Sequence, residues 1–220
     1  MSNTDSFIDE VTEEVRRDKL YATLRKYGWI GVVLVVGIVG GAAFNEYSKA
    51  KRANAAQAAG DAITAALGAS EAAERAEALG AIDAEGGPRL LAEMIRAGEL
   101  YAAGDAAGAI AALAPFVGDA TLDAGYRDLA VLKTAMMGAG EISVDERISM
   151  LAGIAAPRAP YRLLAEEQIA VAQVEAGDVD AAIEGLRAIA EDGGASQGLR
   201  QRARQMIVAL GGDPVASADG

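Results

Sequence analysis

The chain has no cysteine and no histidine. Without cysteine there are neither disulfides nor thiol chemistry, and the redox compartment is left open. Without histidine the commonest general base and metal ligand is gone. A Ser-His-Asp triad cannot be built, and a zinc site lacks its usual nitrogen and sulfur donors. Aromatic residues are scarce at 5%. Basic residues are also in deficit, with Lys+Arg 20 against Asp+Glu 32 and a net charge of −12. The imbalance falls on the residues from Ala53 onward, which carry 12 basic and 25 acidic side chains. A region this acidic repels phosphate backbones and anionic lipid surfaces, so nucleic acid is not an expected partner.

Charge disappears altogether from Gly28 to Phe44 (GWIGVVLVVGIVGGAAF), between Lys26 and Glu46. About 20 helical residues at about 1.5 Å each cross a hydrocarbon core of about 30 Å. The run is adequate but short, so a span over 28–47 is expected, with Lys26 and Lys49 snorkelling at its ends. Tyr27, Trp29 and Tyr47 sit where interfacial aromatics belong. A cleaved signal peptide is the nearest rival, since Gly41-Ala42-Ala43 and Ala53-Asn54-Ala55 resemble cleavage sites. The long head before the run, with Asp5, Asp9, Glu10, Glu13, Glu14 and Asp18, argues against it. A buried core helix is the other rival, but no other stretch has such uninterrupted apolarity. Five basic residues before the run (Arg16, Arg17, Lys19, Arg25, Lys26) against three after it (Lys49, Lys51, Arg52) bias the N-terminus to the cytoplasm. Gly37 and Gly41 form a G-x-x-x-G spacing that lets a second membrane helix approach closely.

Residues 1–27 read as an amphipathic head: Thr4, Asp5 or Ser6 is placed to cap a helix carrying Ile8, Val11, Val15, Leu20 and Leu24. It either docks to a partner or lies at the interface. Residues 48–69 continue as a helical stalk, residues 70–212 form the main domain, and residues 213–220 form a disordered tail. The main domain divides into helical segments at 70–82, 88–103, 105–114, 122–137, 143–152, 160–176, 178–190 and 196–210, separated by glycine-rich breaks. Pro88 and Pro160 stand where first helical turns begin. No alternating strand pattern occurs, so the fold class is all-α.

Two breaks carry the same surroundings. Ala103-Gly104-Asp105 is followed by Ala109, Ile110 and Leu113, and Ala176-Gly177-Asp178 by Ala182, Ile183 and Leu186. Ala92 and Ala97 match Ala165 and Ala170 upstream, and Gly140 lies midway between the two turns. Helix, tight Gly-Asp turn and helix at a period near about 34 residues is the pattern of tetratricopeptide repeats. Glycine permits a left-handed helix end, aspartate starts the next helix, and small alanines let paired helices come close. The pattern is degenerate: the large aromatic of the first helix is missing and Arg96 stands where leucine is usual. The middle unit needs a two-residue shift to place Ile148 and Leu151. A plain helical bundle is the rival, and the even spacing of three turns decides for the repeat. An N-terminal membrane helix followed by a tetratricopeptide-like helical-hairpin solenoid is therefore expected.

With these parts in place, the N-terminal segment FIDEVTEEVRRDKLYATLRKYGW, the single span and the tail YRLLAEEQIAVAQVEAGDVDAAIEGLRAIAEDGGASQGLRQRARQMIVAL resemble the YfgM-like ancillary subunits of the bacterial Sec translocon. The resemblance implies an inner-membrane protein with a periplasmic domain, associated with SecYEG and with periplasmic chaperones that receive emerging chains. It implies no enzymatic activity.

Motifs for chemistry are wanting. No G-x-x-x-x-G-K-[ST] occurs, and Gly138-Ala139-Gly140 lacks a third glycine and a preceding strand. Asp178-Val179-Asp180 opens like a calcium loop, but Ala182 and Ile183 stand where a ligand and a glycine are needed. Glu166-Glu167 and Asp145-Glu146 are neighbours on different helix faces, which suits solvation. Arg200, Arg202 and Arg204 read as a solvated stripe on the last helix. No cofactor, metal or small-molecule substrate is expected. The reading is a non-enzymatic, membrane-anchored adaptor that binds protein partners (SecYEG, a periplasmic chaperone or a nascent chain), or an envelope scaffold for cell division or cytochrome maturation.

Overall fold

The computed structural model describes residues 3–213. The side chains of Ile8, Val11, Val15, Leu20 and Leu24, and the tail beyond Asp213, lie outside the described residues. The elements described are all helices: α1 (Asn3–Ala66), α2 (Ala72–Gly80), α3 (Gly86–Ala102), α4 (Ala106–Val117), α5 (Ala124–Met137), α6 (Val144–Ile154), α7 (Arg162–Ala176), α8 (Val179–Glu191) and α9 (Gln197–Ala209). Helix α1 already contains Thr4, Asp5 and Ser6, so it begins ahead of the cap expected there. The chain divides into two compact units, Met1–Ala56 and Gln57–Gly220.

In the first unit the apolar run leaves its side chains outward. From Val32 to Val39 every large apolar residue is more than half exposed. The stretch Arg25–Ala66 of α1 is long and apolar enough to cross a membrane, with a mean hydropathy of 2.0 over its best window and none of that window buried. A soluble helix so apolar would bury one face against a neighbour.

The second unit is a stack of helices in chain order, each packed on the next, with α5 also touching α7 across α6. Its core is sparing in bulk. The largest fully buried side chains are Leu79, Leu90, Leu113, Leu151, Leu186, Ile189 and Ile207. Burial of each contributes about 1.5–3 kcal/mol. Between them lie alanines with no exposed surface, including Ala97, Ala109, Ala130, Ala165, Ala182 and Ala203. Ala59, Ile63 and Ala66 at the end of α1 are buried too, and Ile63 and Ala66 cluster with Leu79 and Ala92. The stack thus starts inside α1.

Two hairpin turns are built alike. At Gly104 (φ 86) and Gly177 (φ 84) the backbone is left-handed. The amide of Asp105 donates to Leu100 O at 2.9 Å and that of Asp178 to Gln173 O at 2.9 Å, while the glycine amides donate to Tyr101 O and Val174 O at 3.0 Å. This paired closure satisfies carbonyls the helix end would leave open. Asp105 then accepts from the Gly108 amide at 2.8 Å and Asp178 from the Ala181 amide at 3.3 Å, opening α4 and α8.

The middle turn is different. Helix α5 stops at Met137 with Gly138 as its cap, and Gly140 (φ 85) lies beyond it in a turn closed by Ile142 N to Gly138 O at 2.8 Å. Ser143 caps α6 by accepting from the Glu146 amide. Counted from the caps Asp105, Ser143 and Asp178, the three second helices align without a gap. Leu113, Leu151 and Leu186 coincide, as do Phe116, Ile154 and Ile189, all buried. At the place of Ala109 and Ala182 the middle helix carries Arg147, which is 4% exposed. The two-residue shift is therefore a longer turn, and the repeat is broken at one side chain.

Three sequence expectations give way. Helix α4 passes through Pro115 to Val117, three residues past the end expected at Ala114, and Phe116 in that last turn is buried. Glu167 is buried rather than solvated, and Arg202 binds it. Arg200 also turns inward, donating to the Ala195 and Asp192 carbonyls. Arg96, in place of the usual leucine, lies over Gly80, where a Cβ would come within 2.9 Å of its Nε.

Candidate protein-binding groove

On helix α5, Leu132 and Met136 are one turn apart and share a face. On α7, Leu164, Gln168 and Val171 make a second stripe, and on α9 Arg202 and Met206 make a third. These three stripes enclose an open groove of about 420 Å³. Its floor is firm, since Leu132 and Glu167 are buried. Its walls are apolar and open to solvent: Met136 is 50% exposed, Leu164 38% and Val171 38%. A volume of this size is in the range of ligand pockets, and the groove is partly open to solvent.

The polar group in the floor is already engaged. Arg202 Nε donates to Glu167 Oε1 at 2.9 Å and its Nη2 to Glu167 Oε2 at 3.0 Å. The forked pairing fixes α9 against α7. The Glu167 carboxylate beside it raises the pKa of Arg202. With Glu167 buried and paired, the groove presents its apolar side chains, the Gln168 amide and the paired Arg202, whose side chain stays 53% exposed.

A smaller recess of about 230 Å³ lies between α7 and α8. Arg162 spans it, bonded to Glu166 at 2.9 Å and to Asp192 at 2.6 Å. The Asp192 carboxyl is held below its ordinary range first by Arg162 and then by the Gly194 amide. Every charge there has its partner, so the recess reads as a clasp joining the start of α7 to the end of α8. Among the described residues no cluster of three or more metal-ligating side chains occurs.

The residues singled out in sequence are distributed. Gly104, Asp105, Gly177 and Asp178 form the two matched turns, and Gly140 lies in the third, all exposed and away from the groove. Gly37 and Gly41 are in α1, with open space where a Cβ would stand. None of them lines the groove. Its lining was missed because each helix contributes only two or three residues. In sequence only Leu132 and Met136 of the lining are apolar at i, i+4, and Leu132 belongs to the core.

A stack of capped helical hairpins offering an apolar groove defines a repeat module for protein–protein interaction. Residues 24–158 match the tetratricopeptide repeat-like domain family, and the chain belongs to it. The match covers the apolar run and the hairpins through α6, while α7–α9 lie beyond it. No curated protein and no solved structure matches the chain.

Proposed function

We propose that the protein is a non-enzymatic adaptor tethered to the bacterial inner membrane by 28–47, with its repeat domain (70–212) in the periplasm, its head (1–27) in the cytoplasm and 48–69 as the stalk. It serves as an ancillary subunit of the Sec translocon, where the groove receives a periplasmic chaperone or an emerging chain. Gly37 and Gly41 pack the span against a neighbouring membrane helix, and the turns at Gly104-Asp105, Gly140 and Gly177-Asp178 hold the hairpins in register.

One observation carries the binding reading: Met136, Leu164 and Val171 remain exposed side by side on a rigid floor. These side chains of α5 and α7 offer apolar surface that a partner's apolar face would cover. The tether is supported by the exposed apolar stretch of α1. The Sec assignment rests on the resemblance of the head, span and tail. Purification of the tagged full chain in mild detergent tests it: SecYEG subunits or periplasmic chaperones are expected to co-purify. Their absence beside cell-division or cytochrome-maturation proteins would move the adaptor to another envelope complex. Protease added to spheroplasts is expected to digest the repeat domain, and a protected domain would reverse the topology.

A further inference from the structure

Most arginines of the second unit bond within it. Arg75, Arg96, Arg147, Arg162 and Arg202 pair with carboxylates. Arg127, Arg187 and Arg200 donate to backbone carbonyls. Among the described residues, Arg89, Lys133, Arg158 and Arg204 have neither an ion pair nor a backbone acceptor, and Arg202 is paired while its side chain stays 53% exposed. The 25 acidic residues from Ala53 onward are far from consumed by these pairs. With 12 basic against 25 acidic residues, the outward field of the domain is negative.

One carboxylate of that field lies on a helix that forms a groove wall. Asp128 lies one turn before Leu132 and two before Met136, on the same stripe of α5. It is half-buried, and among the described residues no ion pair reaches it. The opposite wall supplies Met206, so methionines stand on two of the three helices. Methionine is unbranched and polarisable, and it adapts to apolar shapes of different outline.

We propose that the occupant of this groove is an amphipathic segment of a partner protein, apolar on one face and rich in lysine or arginine, recognised by its charge and apolarity and not by one fixed sequence. The inference rests on the protein-binding reading above and adds the chemistry of the partner. The apolar face covers Met136, Leu164, Val171 and Met206, and a cation lies against Asp128. Long-range attraction by the acidic domain speeds encounter with such a segment and disfavours acidic ones.

The test uses the full chain in nanodiscs of neutral phosphatidylcholine, with empty nanodiscs as the blank, and three labelled helix-forming peptides read by fluorescence anisotropy. One carries leucine at i, i+3, i+4, i+7 with lysine elsewhere; the second replaces lysine by glutamate; the third replaces leucine by serine. The Lys–Leu peptide is expected to bind at least about tenfold more tightly than either other at low salt, its lead over the Glu–Leu peptide shrinking as salt screens the field. Val171→Arg, on the exposed wall, should weaken Lys–Leu binding about tenfold or more with helicity unchanged, and Asp128→Lys should weaken it about threefold or more at low salt only. Equal binding of the Lys–Leu and Glu–Leu peptides overturns the charge class and leaves the groove as a binding site. Equal binding of the Lys–Leu and Lys–Ser peptides overturns the apolar match. If neither leucine peptide binds, the groove reading itself falls. A change of oligomeric state in Val171→Arg would give the groove to a second copy of this chain and also overturn the proposal.

Discussion

Gly177 and Gly153 are both glycines of the repeat domain, yet substitution should act on them in opposite directions. Gly177 stands at φ 84, where a Cβ crowds the following carbonyl. Gly177→Ala is expected to lower the unfolding free energy by about 1–2 kcal/mol in urea titration. Gly153 is inside α6 with open space around its missing Cβ. Gly153→Ala should raise it by about 0.5–1 kcal/mol, since only unfolded-chain entropy changes. Arg147 is the other residue with a clear expectation. It occupies the place of two buried alanines, and its Nε has no partner. Its ion-pair partner Glu175 is 42% exposed, so that carboxylate stays hydrated when the arginine is removed. Arg147→Met, similar in volume, should therefore leave stability level or raise it by about 1–4 kcal/mol, again by urea titration. The sequence placed the turn glycines by their spacing. It did not expose Arg147, because the register of the middle helix depends on a turn two residues longer.

Among the helices, α4 and α7 show what local signals miss. Proline removes an intrahelical donor and is a fair mark of a helix end. In α4 the burial of Leu113 and Phe116 on either side of Pro115 keeps the turn helical all the same. Helix α7 is held at its first turn by Arg162, which bridges to Asp192 at the end of α8. Because Arg162 depresses the Asp192 pKa in the folded chain, folding gains stability from the ionised carboxylate above its unfolded pKa of about 3.9. That contribution is lost as pH falls below about 3.9 through the lower folded value. Asp192→Asn should reduce stability near neutral pH and flatten the acid limb of a urea-midpoint profile below about pH 4. An acid limb as steep as that of the parent chain would show that Asp192 does not contribute. The helices' existence was legible in their glycine breaks and caps, whereas the ion pairs linking α6 to α7 and α7 to α9 join residues far apart in sequence.

For the whole molecule, the decisive contrast is between apolar surface that is exposed for length and apolar surface that is exposed by packing. The run Gly28 to Phe44 is apolar all round, and a protein lacking 25–47 is expected to shift from the membrane to the soluble fraction on ultracentrifugation. The groove walls, by contrast, are a few apolar side chains that separate helices bring to one place. Composition and periodicity by themselves determined the all-α class, the apolar helix and the hairpin turns, because each depends on residues within a few positions of one another. Only the tertiary structure decided that α5, α7 and α9 meet around one groove, that Glu167 and Arg202 neutralise each other in its floor, and that most arginines are spent internally. Those facts follow from how helices stack across tens of residues, and a single sequence carries no local pattern for contacts at that range.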